Sequence, residues 1–411
     1  MNHNYLELCV RPRNILASEH DIDHSQIDAD ALSVIHQLRN AGYSAYLVGG
    51  SVRDLLVKKS PKDFDISTSA QPEEIKALFK RSCLLIGKRF RLAHIRFGHK
   101  VIEVATFRSG DNDSDLIIRD NTWGSTEEDA LRRDFTINGL FYDPLSHTVI
   151  DYVGGWEDIH KRILRTIGDP HIRFKQDPVR MIRLLKFRAR FGFEIEPETK
   201  KALIECREEI TKSSPARILE EFLRMLESGA ATSFLHLMTQ SQILHLLFPA
   251  LTELLTGTLG MNIYSLLEVA DQMNLNDKQL SLDRAVLTSC LLFPILEQEI
   301  QTQFLDRETI PHLGEVMMAS SNLIKSVVTT SFSHFPRRIS ATMNYIMSMQ
   351  YRLTPISGKK RHPPKFFRHK EFPLVLKFLK IRAVRNKDIL SVYTSWKNLY
   401  RQHLKSGRHK S

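Results

Sequence analysis

The 411 residues are too many for one ordinary core and imply two to four domains or one elongated array. The composition, 42% apolar and 26% charged, is that of a soluble globular protein. The longest apolar run, Val286 to Leu296, is interrupted by Thr288, Ser289 and Pro294 and is too short to span a bilayer.

The start, Met1 to Val10, lacks the pattern of a secretory signal. Cys9, Cys83, Cys206 and Cys290 are scattered without C-x-x-C spacing, which argues against structural zinc and for a reducing cytoplasm. The net charge of +11 is uneven. From Arg352 to Ser411, 17 Lys and Arg face only Glu371 and Asp388, a local +15, leaving −4 on the first 351 residues. Such an end predicts contact with a polyanion, nucleic acid first and an anionic membrane second.

Residues 1–27 read as a leader without a strong pattern. The spacing of Ala31, Leu32, Val34, Ile35 and Leu38 predicts a helix over 28–40, capped by Asp28 or Asp30 and stopped at Gly42. Tyr46-Leu47-Val48 reads as a buried strand running into Gly49-Gly50, after which Ser51 to Leu56 begins a helix that Pro61 breaks. Phe64 and Ile66 alternate with Asp63 and Asp65 as in a strand. Pro72-Glu73-Glu74 opens another helix. Val101 to Phe107 is a further strand, Ser109 to Asp120 a polar acidic loop, 126–139 a helix, and Val149 to Val153 a last strand closed by Gly154-Gly155.

Beyond about residue 155 no strand is expected. Helices are predicted over 177–191, 197–210, 214–228, 231–239, 262–273 and 281–300, and again near 372–402. The expected class is α+β: a head of small mixed sheet and helices at 28–155, an all-helical neck at 156–230 and body at 231–350, and a basic tail at 351–411.

The chemistry concentrates in the head. A strand puts residues i and i+2 on one face, so Asp63 and Asp65 point together while Phe64 and Ile66 point inward. Two carboxylates so close repel unless a cation lies between them, and hard ions such as Mg²⁺ suit oxygen ligands. A bare D-x-D is more often two solvated acids. Here it follows a Gly-Gly turn into a helix, where Gly50 admits close approach of a phosphate to exposed backbone N–H groups and Arg53 adds a positive fork. Glu103, an acid in an otherwise apolar strand, is either at an exposed edge or a third metal ligand or base.

Leu47-Val48-Gly49-Gly50-Ser51-Val52-Arg53-Asp54-Leu55, then Asp63-Phe64-Asp65-Ile66, then Arg132-Arg133-Asp134-Phe135-Thr136-Ile137-Asn138 resemble the class II polymerase-β-like nucleotidyltransferases, the branch of CCA-adding tRNA nucleotidyltransferases and bacterial poly(A) polymerases. The resemblance covers roughly residues 40–230. It implies a polymerase-β-like head, ATP as substrate, and two Mg²⁺ ions (or Mn²⁺, which oxygen ligands also admit) on Asp63 and Asp65 with Glu103 beside them. Gly49, Gly50 and Arg53 would hold the triphosphate. Arg132, Arg133 and Asp134 would hold the nucleotide and its ribose, with Asn138 one helical turn below Asp134 assisting. Asp134 competes with Glu103 for the place of third catalytic carboxylate; a salt bridge to Arg132 or Arg133 is its structural alternative.

In this family a neck helix carries an acid and an arginine that mimic a template base. Gln176-Asp177-Pro178-Val179-Arg180 stands where Glu-Asp-x-x-Arg is expected, with Gln176 departing from the pattern and Arg183 following on the same face.

Leu85-Ile86-Gly87-Lys88-Arg89-Phe90 resembles the block that marks bacterial poly(A) polymerases among these relatives, with Lys88 and Arg89 as candidate RNA contacts. The end of the chain adds Lys359, Lys360, Arg361, Lys365, Arg368 and Lys370, interleaved with Phe366 and Phe367. Sequence-blind RNA binding uses such a cationic stretch, and the two rings either stack on bases or pack on the body. The expected function is template-independent addition of AMP to RNA 3′ ends (mRNA, small RNAs, decay intermediates) in the cytoplasm. CCA addition is the alternative and a non-catalytic RNA-binding protein a third reading, against which the intact Asp63, Asp65, Glu103 and Arg53 speak.

Overall fold

The computed structural model describes residues 12–87, 91–109, 122–255, 257–276, 281–329, 335–354, 366–384 and 386–408. They form two compact units. The first runs to Arg180 and takes in Gly192–Cys206; the second comprises Met181–Phe191 and the chain from Arg207 onward.

The first unit is built on an eight-stranded sheet: β1 (Arg13–Ile15), β2 (Ala45–Val48), β3 (Asp65–Thr68), β4 (Cys83–Ile86), β5 (Leu92–Phe97), β6 (Lys100–Thr106), β7 (Leu140–Asp143) and β8 (Thr148–Asp151). Their order is β1-β8-β7-β2-β3-β6-β5-β4. The β3–β6 pair is parallel, the other pairs antiparallel.

Helices α1 (Ala29–Asn40), α2 (Gly50–Leu56), α3 (Pro72–Phe79) and α4 (Thr126–Leu131) flank the sheet in the chain, followed by α5 (Gly155–Lys161), α6 (Pro170–Gln176), α7 (Val179–Phe191) and α8 (Pro197–Glu205). The signals read from sequence work locally. Asp28 caps α1 by accepting from the N–H groups of Asp30 and Ala31 at 2.9 and 3.3 Å. Ala31, Val34, Ile35 and Leu38 are fully buried, the stripe that 3.6-residue periodicity demands. Helix α4 opens on a reciprocal Ser125–Glu128 capping box, a local signal the sequence reading did not pick out.

Several expectations fail for tertiary reasons. The leader contains β1, a three-residue strand with Ile15 fully buried, paired to β8. The helix expected over 126–139 ends at Leu131. Phe135 is fully buried and extended (φ −131°, ψ 148°). The chain on either side bonds to a distant segment, Thr136 N–H to Arg165 O at 3.0 Å and Ile167 N–H to Asp134 O at 3.2 Å. Asn138 therefore sits in a short 3₁₀ turn, Thr136–Asn138, and not one α-helical turn below Asp134.

The strand begins at Asp65, leaving Asp63 just outside. Its partner β2 ends at Val48, opposite Asp65, because Gly49 turns the chain away at φ +66°. Two short strands past residue 155, Ile163–Leu164 and Glu194–Ile195, pair in parallel. Helix α7 starts at Val179, since Pro178 disfavours helical backbone at Asp177, which adopts φ −143° and ψ 85°.

The second unit is helical among its described residues: α9 (Pro215–Leu226), α10 (Ala231–Gln240), α11 (Ile243–Leu247), α12 (Pro249–Leu254), α13 (Gly257–Asn276), α14 (Arg284–Gln303), α15 (Leu313–Ile324), α16 (Arg337–Leu353), α17 (Phe372–Ala383) and α18 (Lys387–Arg408). Ala285 through Leu296 are all buried, so the longest apolar run is a core helix, apolar all round because it is surrounded. Phe372, Val375, Phe378, Leu379 and Ile381 are also buried. The basic end is thus anchored through α17.

Candidate active site

Cross-strand register fixes the working face of the sheet. Val48 pairs with Asp65 and with Phe141, and Tyr46 with Ser67, and paired residues share a face. That face carries a floor of Val48, Phe107 and Phe141 with Ala130 of α4 packed against it. At its open end are the acids: Asp63 and Asp65 are both exposed, Phe64 half-buried and Ile66 buried. The alternation read from sequence therefore holds, although Asp63 precedes the strand. Ile66 pairs with Val104 in the parallel β3–β6 register, so one residue earlier Asp65 and Glu103 stand side by side on this face. Glu103 is exposed and lies 3.4 Å from Nε2 of His94, its cross-strand neighbour.

The arginines come in under the same face. Arg133 Nη2 donates to Ser67 Oγ at 3.2 Å, two residues along β3 from Asp65. Its Nη1 lies where a Cβ on Gly49 would be only 3.2 Å away, so with φ +66° that position requires glycine. The Arg53 guanidinium lies beneath Gly50 and is buried. It donates to Asp54 Oδ1 at 2.9 and 2.8 Å and to Asn138 Oδ1 at 2.6 Å. Asn138 Nδ2 donates in turn to Asp134 Oδ1 at 2.9 Å. The sequence reading set Asn138 beside Asp134 on one helix face; in the structure a hydrogen bond joins the two, and Arg53 is part of the same chain of bonds.

Two residues that sequence reasoning missed organise this cluster. Asp129 is fully buried; it accepts from Arg132 Nε at 2.8 Å and Nη2 at shorter range, and from Arg133 Nη2 at 2.8 Å. Burial alone would raise its carboxyl, but Arg133 and Arg132 outweigh that and hold it below its ordinary value. The signal available was an acid three and four residues before two arginines. Arg173 is buried and donates to Ile167 O at 2.9 Å and, more closely, to Leu131 O. Burial, with Arg180 beside it, pushes its guanidinium down to about 10.

Asp177 and Arg180 are both buried, and Arg180 Nη2 donates to Arg132 O at 3.3 Å. Asp177 and Pro178 lie between α6 and α7, so the pair is set by a Pro-containing turn and not by one helix face. Arg183 falls in the second unit, where its Nε donates to Glu221 at 2.8 Å beside Lys186 at 2.5 Å.

Lys88, Arg89, Lys359, Lys360, Arg361 and Lys365 lie outside the described residues. Arg368 and Lys370 are exposed. Phe366 and Phe367 pack with Phe372 at 5.2 and 5.0 Å and with Trp396 at 5.6 and 6.1 Å between ring centres. In the structure these two half-buried rings pack against neighbouring aromatic side chains.

Three segments match described families: the poly(A) polymerase head domain at residues 45–165, the probable RNA and SrmB-binding site of polymerase A at 192–255, and the polymerase A arginine-rich C-terminus at 311–411. Poly(A) polymerase I of Salmonella typhi is 35% identical over 395 residues, 92% of this chain and 83% of that protein. The chain belongs to the poly(A) polymerase family.

The Escherichia coli O157:H7 poly(A) polymerase I is likewise 35% identical, over 95% of this chain and 85% of its own. The CCA-adding enzyme of Lactobacillus helveticus is 40% identical over only 47% of this chain and 49% of its own. The crystal structure of the Bacillus stearothermophilus CCA-adding enzyme with CTP shares the fold, with a TM-score of 0.59 at 23% identity over 92% of this chain and 82% of that one.

As a poly(A) polymerase family member the chain is a nucleotidyltransferase, with a nucleotide substrate, a divalent metal and RNA as partner. The donor set suits such a metal. Among the described residues no three His, Cys, Asp or Glu side chains form a ready-made cage, but Mg²⁺ is ordinarily held by one or two carboxylates together with water and substrate phosphates. Exposed Asp63 and Asp65 present carboxylate oxygens of that kind. No helix among the described residues is long and apolar enough to cross a membrane.

Proposed function

We propose that this chain transfers AMP from ATP to the 3′-hydroxyl of RNA without a template, with Asp63 and Asp65 at the reacting centre. The observation that carries the reading is the shared face of β3: two exposed carboxylates at its start and, through Ser67, the Arg133 guanidinium and the Gly49 turn behind them. In the reaction the RNA 3′-oxygen bonds to the α-phosphorus of ATP, the bond from that phosphorus to the β-phosphate bridging oxygen breaks, and pyrophosphate leaves.

Two Mg²⁺ ions, held by Asp63 and Asp65 with Glu103 beside them, would lower the pKa of the attacking hydroxyl and offset charge on the leaving group. Gly49 and Gly50 bring bare backbone close to the polyphosphate, and Arg132 and Arg133 supply fixed positive charge against it. Arg53 works from below, holding Asn138, which holds Asp134 for the ribose. Asp177 and Arg180 would face the adenine, with Arg180 tied to the main chain at Arg132. Arg183, Lys186 and the exposed cations Arg368 and Lys370 would serve the RNA side, as would the basic segments around Lys88 and Lys359.

Extension of a generic RNA with each of the four nucleoside triphosphates separately tests the proposal. A ladder with ATP on the generic RNA is expected. Repair with C and A of a tRNA lacking its end, and no ladder on generic RNA, would establish CCA addition instead.

A further inference from the structure

The geometry points to Asp129 as a positioning residue for the incoming nucleotide, a buried carboxylate that fixes both nucleotide-facing guanidiniums at once. The inference rests on the proposed role of Arg132 and Arg133 in holding ATP.

Asp129 lies on α4 two residues before its end, fully buried, while the side chains of Arg132 and Arg133 remain 28% and 16% exposed. The carboxylate is thus at the back and the guanidiniums reach forward. One oxygen takes Arg132 through Nε and Nη2; the other takes Arg133 Nη2. The Arg108 backbone N–H, 3.3 Å away, adds a further donor. Each guanidinium has five donors, so Nη1 of Arg133 stays directed at Gly49.

The main chain is pinned as well. Helix α4 ends at Leu131, and the carbonyls that a helix end leaves unsatisfied accept from Arg173 at Leu131 and from Arg180 at Arg132. Long arginine side chains lose considerable rotamer freedom when they grip a ligand. Here that freedom is removed before ATP arrives.

Charge counting and positioning predict opposite results for Asp129→Asn. The substitution removes a negative charge shared by the two guanidiniums, so electrostatics alone would tighten binding of a polyphosphate. If Asp129 acts by positioning, ATP binding weakens. The experiment is a cycle of wild type, Asp129→Asn, Arg133→Ala and the double variant, each measured for KM and kcat of AMP incorporation and for ATP affinity by calorimetry without RNA.

We expect Asp129→Asn to raise KM and Kd about tenfold or more with kcat within about threefold. In the double variant the two effects are expected to combine to less than their product, the loss that remains coming through Arg132. An unchanged or lower KM, or effects that multiply in the double variant, overturns the inference. If Asp129→Asn does not fold, Asp129→Glu, which keeps the buried charge but displaces it by one methylene, carries the same expectations and the same overturning outcomes. Wild-type protein that binds ATP in this cycle yet adds nothing to RNA would indict the proposed reaction and leave the clamp standing.

Discussion

The approach of Gly155 to the 3₁₀ turn Thr136–Asn138 makes Gly155→Ala a stringent test of how the site is held. A Cβ at Gly155 would stand 2.2 Å from Thr136 O, 2.9 Å from Thr136 C and 3.1 Å from Leu140 Cγ, where 3.4 Å or more is ordinary contact. The backbone at Thr136 would have to yield by about 1 Å, and neither side is free to do so cheaply. Gly155 N–H is held by Asp151 Oδ1 at 3.1 Å, a carboxylate that also takes the N–H groups of Val153 and Trp156. Thr136 is held by its own N–H to Arg165 O and by its hydroxyl to Asp158 at 2.7 Å.

Overpacking of this kind costs about 1–3 kcal/mol. At roughly 2–4 °C per kcal/mol for a domain of this size, the melting temperature should fall by about 2–12 °C. Activity should fall further than stability explains, because Asn138, two residues on, loses its register with Arg53 and Asp134. Thermal melts read by circular dichroism, with AMP incorporation measured below the transition, provide the assay. Gly314→Ala is the control: open space surrounds it within α15, so alanine should leave the melt unchanged or raise it slightly. A Gly155→Ala protein with wild-type melting and wild-type kcat refutes the reasoning.

Asp63→Asn and Asp65→Asn should each lower AMP incorporation by at least about 10²-fold, with melting within about 1–2 °C of wild type because both side chains are exposed. Phe367→Ala should destabilise the second unit by about 2 kcal/mol, since the ring contacts Phe372, Trp396 and Tyr400 but is only half-buried; denaturant melts check this, and loss of RNA affinity at full stability would restore the stacking role.

Glu220 is held down to about 2, first by its hydrogen bond from Arg284. With the folded value below the ordinary 4.5, the pair's contribution is fully present above about pH 4.5 and is lost as pH falls through about 2. The melting difference between wild type and Arg284→Met should therefore shrink as pH goes from 6 toward 2. A difference independent of pH removes Glu220 from the account.

What the sequence determined by itself is the part written in short-range patterns. Asp28 capping α1, the Ser125–Glu128 box, the Gly49 turn and the Asp63/Asp65 alternation are decided within a few residues, by hydrogen-bond geometry and by the two-residue period of a strand. The family resemblance followed, because an acid pair two residues apart and a Gly-Gly turn into a helix are both short-range patterns.

The tertiary structure decided what depends on partners far along the chain. Phe135 leaves the helix because Arg165 and Ile167 offer its neighbours hydrogen bonds that an isolated segment does not have. Arg53, read from sequence as a positive fork for the triphosphate, is a buried anchor because Asn138 and Asp54 surround it. Asp129 becomes the hub of two arginines only once α4 lies on the sheet and excludes water, and Phe366 and Phe367 join an aromatic cluster because α17 and α18 bring Phe372 and Trp396 against them. Desolvation gives these groups their roles, and it depends on which segments pack together rather than on spacing along the chain.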